Sequence, residues 1–146
     1  MTGKRLNSPF RKILVGYDGS PTAQKALDIA FGMARSEDSK ILVVAVARPP
    51  EPATRVETAG ILESAEEHFD RDFERIGARA RELDVDVDTV VMVGHPTEQL
   101  LHRAESEKAD LIVVGRRGVS AFERMLVGST SEKVLRYAHC PVMVVQ

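Results

Sequence analysis

KILVGYDGSPTAQKALDIA, residues 12–30, decides the fold. Its first part, Ile13–Tyr17, is an apolar run that does not alternate with polar residues, as expected of a strand covered on both faces. Asp18-Gly19 then turns the chain, and Ser20-Pro21 supplies a helix cap followed by proline at the first helical position. Ala23, Ala26, Leu27, Ala30 and Ala34 recur at helical spacing after it. A buried strand that passes through a tight turn into an amphipathic helix is the opening half of a βαβ unit.

The same alternation continues along the chain. Further apolar runs lie at Ile41–Ala47, Thr89–Val93, Leu111–Gly115 and Val142–Val145. Between them, Leu62, Ala65, Phe69, Phe73, Ile76, Ala80 and Leu83 mark a second helix whose opposite face carries Glu66, Glu67, Asp70, Arg71 and Glu74. A third helix is expected after Pro96, with Leu100, Leu101 and Ala104. A fourth is expected from Ser129, with Val134, Leu135 and Ala138. Ser129-Thr-Ser-Glu132 has the pattern of a capping box. The order β-α-β-α-β-α-β-α-β predicts an α/β fold with a parallel sheet and right-handed crossovers. The stretch Arg48–Gly60, with Pro49, Pro50 and Pro52, is expected to be a mobile loop. Residues 1–10 are expected to be a flexible extension, and 11–146 a single domain.

Bulk properties narrow the function. The 146 residues carry a formal net charge of −2, which does not favour nucleic acid as a partner. Apolar runs such as Ile41–Ala47 are too short to span a bilayer, and the basic N-terminus lacks the apolar segment of a signal peptide. The single cysteine, Cys140, excludes an internal disulfide and is expected to be a small buried packing residue. These features fit a cytoplasmic location.

In an open α/β sheet, ligands bind beyond the carboxyl ends of the strands. Those ends are occupied here by Tyr17-Asp18-Gly19-Ser20, by Val46-Ala47, by Gly94-His95-Pro96 and by Gly115-Arg116-Arg117-Gly118. The last group leads, nine residues after Gly118, to Gly128-Ser129-Thr130 at the start of the fourth helix. Glycines let backbone N–H groups approach an anion, and a helix N-terminus adds the positive end of its dipole. Ser129 adds a hydroxyl, and Arg116 and Arg117 add positive charge, so the segment suits a polyphosphate. The same glycines serve simple turns, and Ser129 with Glu132 caps a helix with no ligand bound. Asp18 likewise fits either a ligand contact or an Asp-Gly turn. His95 is a candidate catalytic base or metal ligand, but a loop histidine before a helix-starting proline is more often neither, and the other histidines show no ligand spacing.

Gly115-x2-Gly118-x9-Gly128-Ser129 resembles the ATP-binding signature, G-2x-G-9x-G-S/T, of the universal stress protein family. The resemblance extends to Lys12–Ser20, to Gly94-x-Pro96, to Ala109–Gly115 and to Cys140–Val145. It implies a Rossmann-like open sheet of five parallel strands in the order 3-2-1-4-5, with helices on both faces. It also implies that Asp18 contacts the ribose, that the Val46 backbone reads the adenine edge, and that Gly16 lines the base. Gly115, Gly118, Gly128 and Ser129 match the phosphate loop, with Thr130 extending its hydroxyl side. Tyr17, Arg116 and Arg117 complete the expected nucleotide site. Mg²⁺ or Mn²⁺ would ride on the phosphates without a protein cage. Other members pair their last strands, so a homodimer through Val142–Val145 is expected, as is an unidentified protein partner. Three functions follow: an ATP-dependent sensor or regulator of the stress response, a slow ATP hydrolase, or a dimeric interaction module with little nucleotide binding. Hydrolysis requires a group that orients water, and only Glu123 lies near the glycine loop for that role. No catalytic and no metal-ligating residue is assigned.

Overall fold

The computed structural model describes residues 10–49, 55–116 and 129–146. Among them are strands β1 (Lys12–Gly16), β2 (Lys40–Ala47), β3 (Asp86–Val93), β4 (Leu111–Gly115) and β5 (Val142–Val145). They alternate with helices α1 (Pro21–Glu37), α2 (Arg55–Leu83), α3 (Pro96–Ser106) and α4 (Ser129–Tyr137). The strands form one sheet in the order β3-β2-β1-β4-β5, and every neighbouring pair is parallel. The fold class and strand order expected from the sequence are both present.

Side-chain alternation along the strands sorts the core into two layers. Ile13, Val15 and Tyr17 of the first strand region, with Ile41, Val43, Ala45, Leu111 and Val113, pack under α1 and α2. Leu14, Leu42, Val44, Ile112 and Val114 pack under α3 and α4, against Leu100, Ala104 and Val134. Both faces of the sheet are therefore covered, which is why its strands read as continuous apolar runs. The α1 face is built from Ala23, Ala26, Leu27, Ala30, Phe31 and Ala34, all buried. Its alanines let the helix axis lie close to the sheet. Ser20 caps the helix by accepting the Ala23 amide at 3.1 Å. Asp38, in the left-handed conformation (φ 57°), closes it by donating its N–H to the Ala34 carbonyl.

β1 and β2 each start one residue earlier than their apolar runs, at Lys12 and Lys40, and three further boundaries differ from the sequence expectation. Strand one ends at Gly16 rather than Tyr17, although the Tyr17 amide still donates to the Val44 carbonyl at 2.9 Å. β3 begins at Asp86, three residues ahead of the apolar run at Thr89. Aspartate is disfavoured in strands, but β3 is an edge strand, and Asp86 and Asp88 are exposed beside Lys40 of β2. Lys40 Nζ lies 3.0 Å from an Asp88 carboxylate oxygen, which offsets the poor strand propensity. The expected Arg48–Gly60 loop is also too long, because α2 starts at Arg55. The prolines stop at Pro52, and Gly60 sits in open space where its helix cost of about 1 kcal/mol is absorbed by a long helix. Residues 50–54 and the expected N-terminal extension, apart from Phe10, lie outside the described residues. No helix among the described residues is long and apolar enough to cross a membrane.

Candidate functional site

The strand order reverses direction at β1 and β4. From β1 the chain crosses by α1 to β2 on one side, and from β4 it leads by α4 to β5 on the other. The two helices lie on opposite faces, the topology at which open α/β sheets place a crevice beyond the carboxyl ends of the two neighbouring strands.

On the β1 side, Asp18 is exposed and one of its carboxylate oxygens accepts the Ser20 amide at 2.9 Å. That bond is the Asp-Gly turn expected as the alternative to a ligand contact, and Gly19 at φ +82° supplies the conformation it needs. The turn fixes the aspartate while leaving the residue open to solvent. Gly16 lies on the α3 face, where a Cβ would meet Leu100 Cδ1 at 3.2 Å and Val114 Cγ1 at 3.0 Å. Val46 is half-buried on the same face. Tyr17 points the other way. Its ring is buried against Phe69 and Phe73 of α2, and its hydroxyl donates to Asp72 Oδ2 at 2.7 Å. Burial, and then the bond to Asp72, push the phenol well above the ordinary tyrosine range. The Tyr17 hydroxyl in turn holds the Asp72 carboxyl below its usual value, with help from Arg75.

On the β4 side, Gly115 ends the strand directly under the first turn of α1. A Cβ there would lie 2.6 Å from Thr22 Oγ1 and 2.9 Å from the Ala23 amide nitrogen. Arg116 is half-buried, and its amide donates to the Val145 carbonyl at 2.7 Å. Arg117, Gly118 and Gly128 lie outside the described residues, as does Glu123. Ser129 opens α4, and Thr130 beside it is half-buried. The positive end of the α4 dipole therefore follows the glycine segment as expected. Glu132 pairs with Arg136 at 3.3 Å one turn along the helix.

Two contacts here have no counterpart in the sequence reading. Ser131 is buried and its hydroxyl donates to the Gly115 carbonyl at 2.7 Å, tying the start of α4 to the end of β4. Nothing distinguishes Ser131 from Ser129 in the sequence except position on the helix. Ser131→Ala is expected to cost about 1–2 kcal/mol by leaving that carbonyl without the hydroxyl. At roughly 2–4 °C per kcal/mol for a chain near this size, calorimetry should read a drop of about 2–8 °C. Asp72, the partner of Tyr17, lies on α2 and is equally invisible to local pattern.

Neighbouring groups complete the rim. Arg48 Nη2 and His95 Nε2 are 2.9 Å apart, where β2 and β3 end. His95 Nδ1 and Thr97 Oγ1, at the start of α3, are buried without a hydrogen-bond partner among the described residues. No group of three His, Cys, Asp or Glu suited to a metal ion occurs among the described residues. Cys140 is half-buried rather than buried. It lines a cavity of about 170 Å³ with Ala104, Lys108, Ile112 and His139, at the opposite end of the sheet. Burial, and then the charge of Asp110, push its thiol up, which disfavours the reactive thiolate.

A parallel sheet in the order β3-β2-β1-β4-β5, wound with helices on both faces, defines a Rossmann-like fold class. The chain belongs to the universal stress protein family, whose family model matches residues 9–146. It is 32% identical over 148 residues to universal stress protein YxiE of Bacillus subtilis (strain 168), covering 94% of this chain and 99% of that relative. The structure of UspA from Lactobacillus plantarum superposes with a TM-score of 0.81 at 24% identity, covering 96% of this chain and all of that one, a likeness of fold. A universal stress protein solved in complex with cAMP has a TM-score of 0.74 at 27% identity, covering 95% of this chain and 99% of that one.

Proposed function

We propose that this protein is a cytoplasmic, ATP-dependent regulator of the stress response that binds its nucleotide across the carboxyl ends of β1 and β4. The observation that carries the reading is Asp18. It is exposed at the switch point, and a bond from its own turn holds it still, so its carboxylate is ready to accept both ribose hydroxyls. Gly16 and Val46 form an apolar floor on the α3 face for the base, with the Val46 backbone reading the adenine edge. Gly115, Arg116, Arg117, Gly118, Gly128, Ser129 and Thr130 serve the phosphates, with Mg²⁺ or Mn²⁺ carried by the phosphates themselves. The relative bound to cAMP supports an adenine nucleotide as the ligand class. A homodimer formed through the free edge of β5 accords with the apolar Val142–Val145 strand, since such an edge is normally covered. The hydrolase reading draws on Arg116, Arg117 and Glu123, and no observation favours it over binding.

An equilibrium series with ATP, ADP, AMP and cAMP tests the proposal. At a hundred times its dissociation constant a ligand stabilises the fold by about 2.7 kcal/mol. That corresponds to a rise in melting temperature of about 5–10 °C for a chain of this size. ATP is expected to give the largest shift. No shift with any of the four nucleotides would overturn the reading in favour of an interaction module.

A further inference from the structure

We propose that Tyr17 and Asp72 form a latch that positions Asp18 for the ribose, an inference that rests on the assignment of Asp18 above. Residues 17 and 18 are adjacent but serve opposite sides. Tyr17 turns into the α1–α2 layer, and Asp18 turns out to solvent. Tyr17 is fixed at two points. Its amide donates to the Val44 carbonyl at 2.9 Å, and its hydroxyl donates to Asp72 Oδ2 at 2.7 Å. Arg75 donates to the other oxygen of Asp72, so both carboxylate oxygens are engaged. The turn lies beside this group, since a Cβ added at Gly19 would come within 3.8 Å of Asp72 Oδ2.

Packing alone does not call for a hydroxyl here. Phe69 and Phe73 meet the Tyr17 ring at centroid distances of 6.1 and 6.4 Å, and a phenylalanine would fill the same space. The hydroxyl adds a directional bond that sets the height of the 17–19 backbone against α2. Its proton stays in place at neutral pH, since burial and the Asp72 bond both resist ionisation. On the other flank, the Ser20 amide holds one oxygen of Asp18, and the Ser20 hydroxyl is committed to capping α1. Asp18 is thus held from the α2 side through Tyr17 and from the α1 side through Ser20. The remaining carboxylate oxygen acquires a fixed direction relative to the crevice. Tyr17 and Asp72 are positioning residues, acting through Asp18 without touching the nucleotide.

The test compares affinities for ATP and 2′,3′-dideoxy-ATP, measured at equilibrium on the full chain. Wild type should prefer ATP by about tenfold or more, the scale of hydrogen bonds to a charged acceptor. Tyr17→Phe should cut that preference at least about threefold while changing affinity for the dideoxy analogue less than about twofold, because the lost bond to the Asp72 carboxylate acts on the ribose only through Asp18. Asp72→Ala, on the half-exposed side of α2, removes the latch from its other end and should reproduce the effect if Tyr17→Phe folds poorly. A preference equal to wild type in both variants overturns the latch. So does an equal weakening of both nucleotides, which would mark a purely structural role. A wild-type protein that does not discriminate, or an Asp18→Ala variant that still does, overturns the ribose assignment itself and separates that failure from this one.

Discussion

Gly115→Ala should lower the melting temperature by about 2–12 °C, the consequence of roughly 1–3 kcal/mol of overpacking in a chain near this size. The cost arises where β4 ends. The new methyl would lie 2.6 Å from Thr22 Oγ1, 2.8 Å from the Thr22 carbonyl carbon and 2.9 Å from the Ala23 nitrogen. Thr22 could rotate its side chain away, but the other two atoms belong to the first turn of α1. That turn is held by the Ser20 cap and by buried Ala23, Ala26 and Leu27. Relief therefore requires α1 to move off the sheet, with Phe31 and the layer beneath it. Calorimetry of the variant without nucleotide checks this, and an unchanged melting temperature would show that α1 yields freely. The glycine thus has a structural duty independent of any ligand, and its presence alone is weak evidence for a phosphate site.

The second large effect falls on binding. Asp18→Ala should weaken ATP by about 10–100-fold, corresponding to the loss of one or two hydrogen bonds made by a charged acceptor at about 1.5–3 kcal/mol in total. The fold should suffer little, because the residue is exposed and the bond lost to the Ser20 amide leaves that amide at a solvent-facing turn. Titration calorimetry against ATP checks the affinity. An affinity within about twofold of wild type would remove Asp18 from the site, since even a neutral hydrogen bond contributes about 0.5–1.5 kcal/mol.

Much of the fold was legible because both faces of the sheet are covered. Strands such as Leu111–Gly115, buried throughout, announce themselves as unbroken apolar runs. The same rule misplaced the start of β3, where edge position and Lys40 make room for Asp86 and Asp88. Proline content misplaced the start of α2, whose first residues carry no periodic signal. Strand order is a different matter. No local pattern states that β1 lies between β2 and β4, and the expectation came from likeness to a family. Around the proposed site, the Asp18 turn and the glycine end of β4 were legible because turn and glycine chemistry is local. Ser131 and Asp72 were not, because each earns its role from a partner far away in the chain, Gly115 and Tyr17. Tyr17 itself was placed at the site by adjacency to Asp18, and the alternation of strand side chains sends its ring to the other layer.

The central pairing of β1 with β4 bears on how the molecule is assembled. Ile13 lies opposite Leu111, so three helical crossovers, through α1, α2 and α3, must be synthesised before these strands can meet. Such a closure is entropically slow compared with the local β1–α1–β2 unit. The crevice comes into being only at that late step, because each wall belongs to a different half of the chain. If the proposed nucleotide site spans β1 and β4, a nascent or partly unfolded chain has only half of it, and nucleotide binding would report that the two halves have joined.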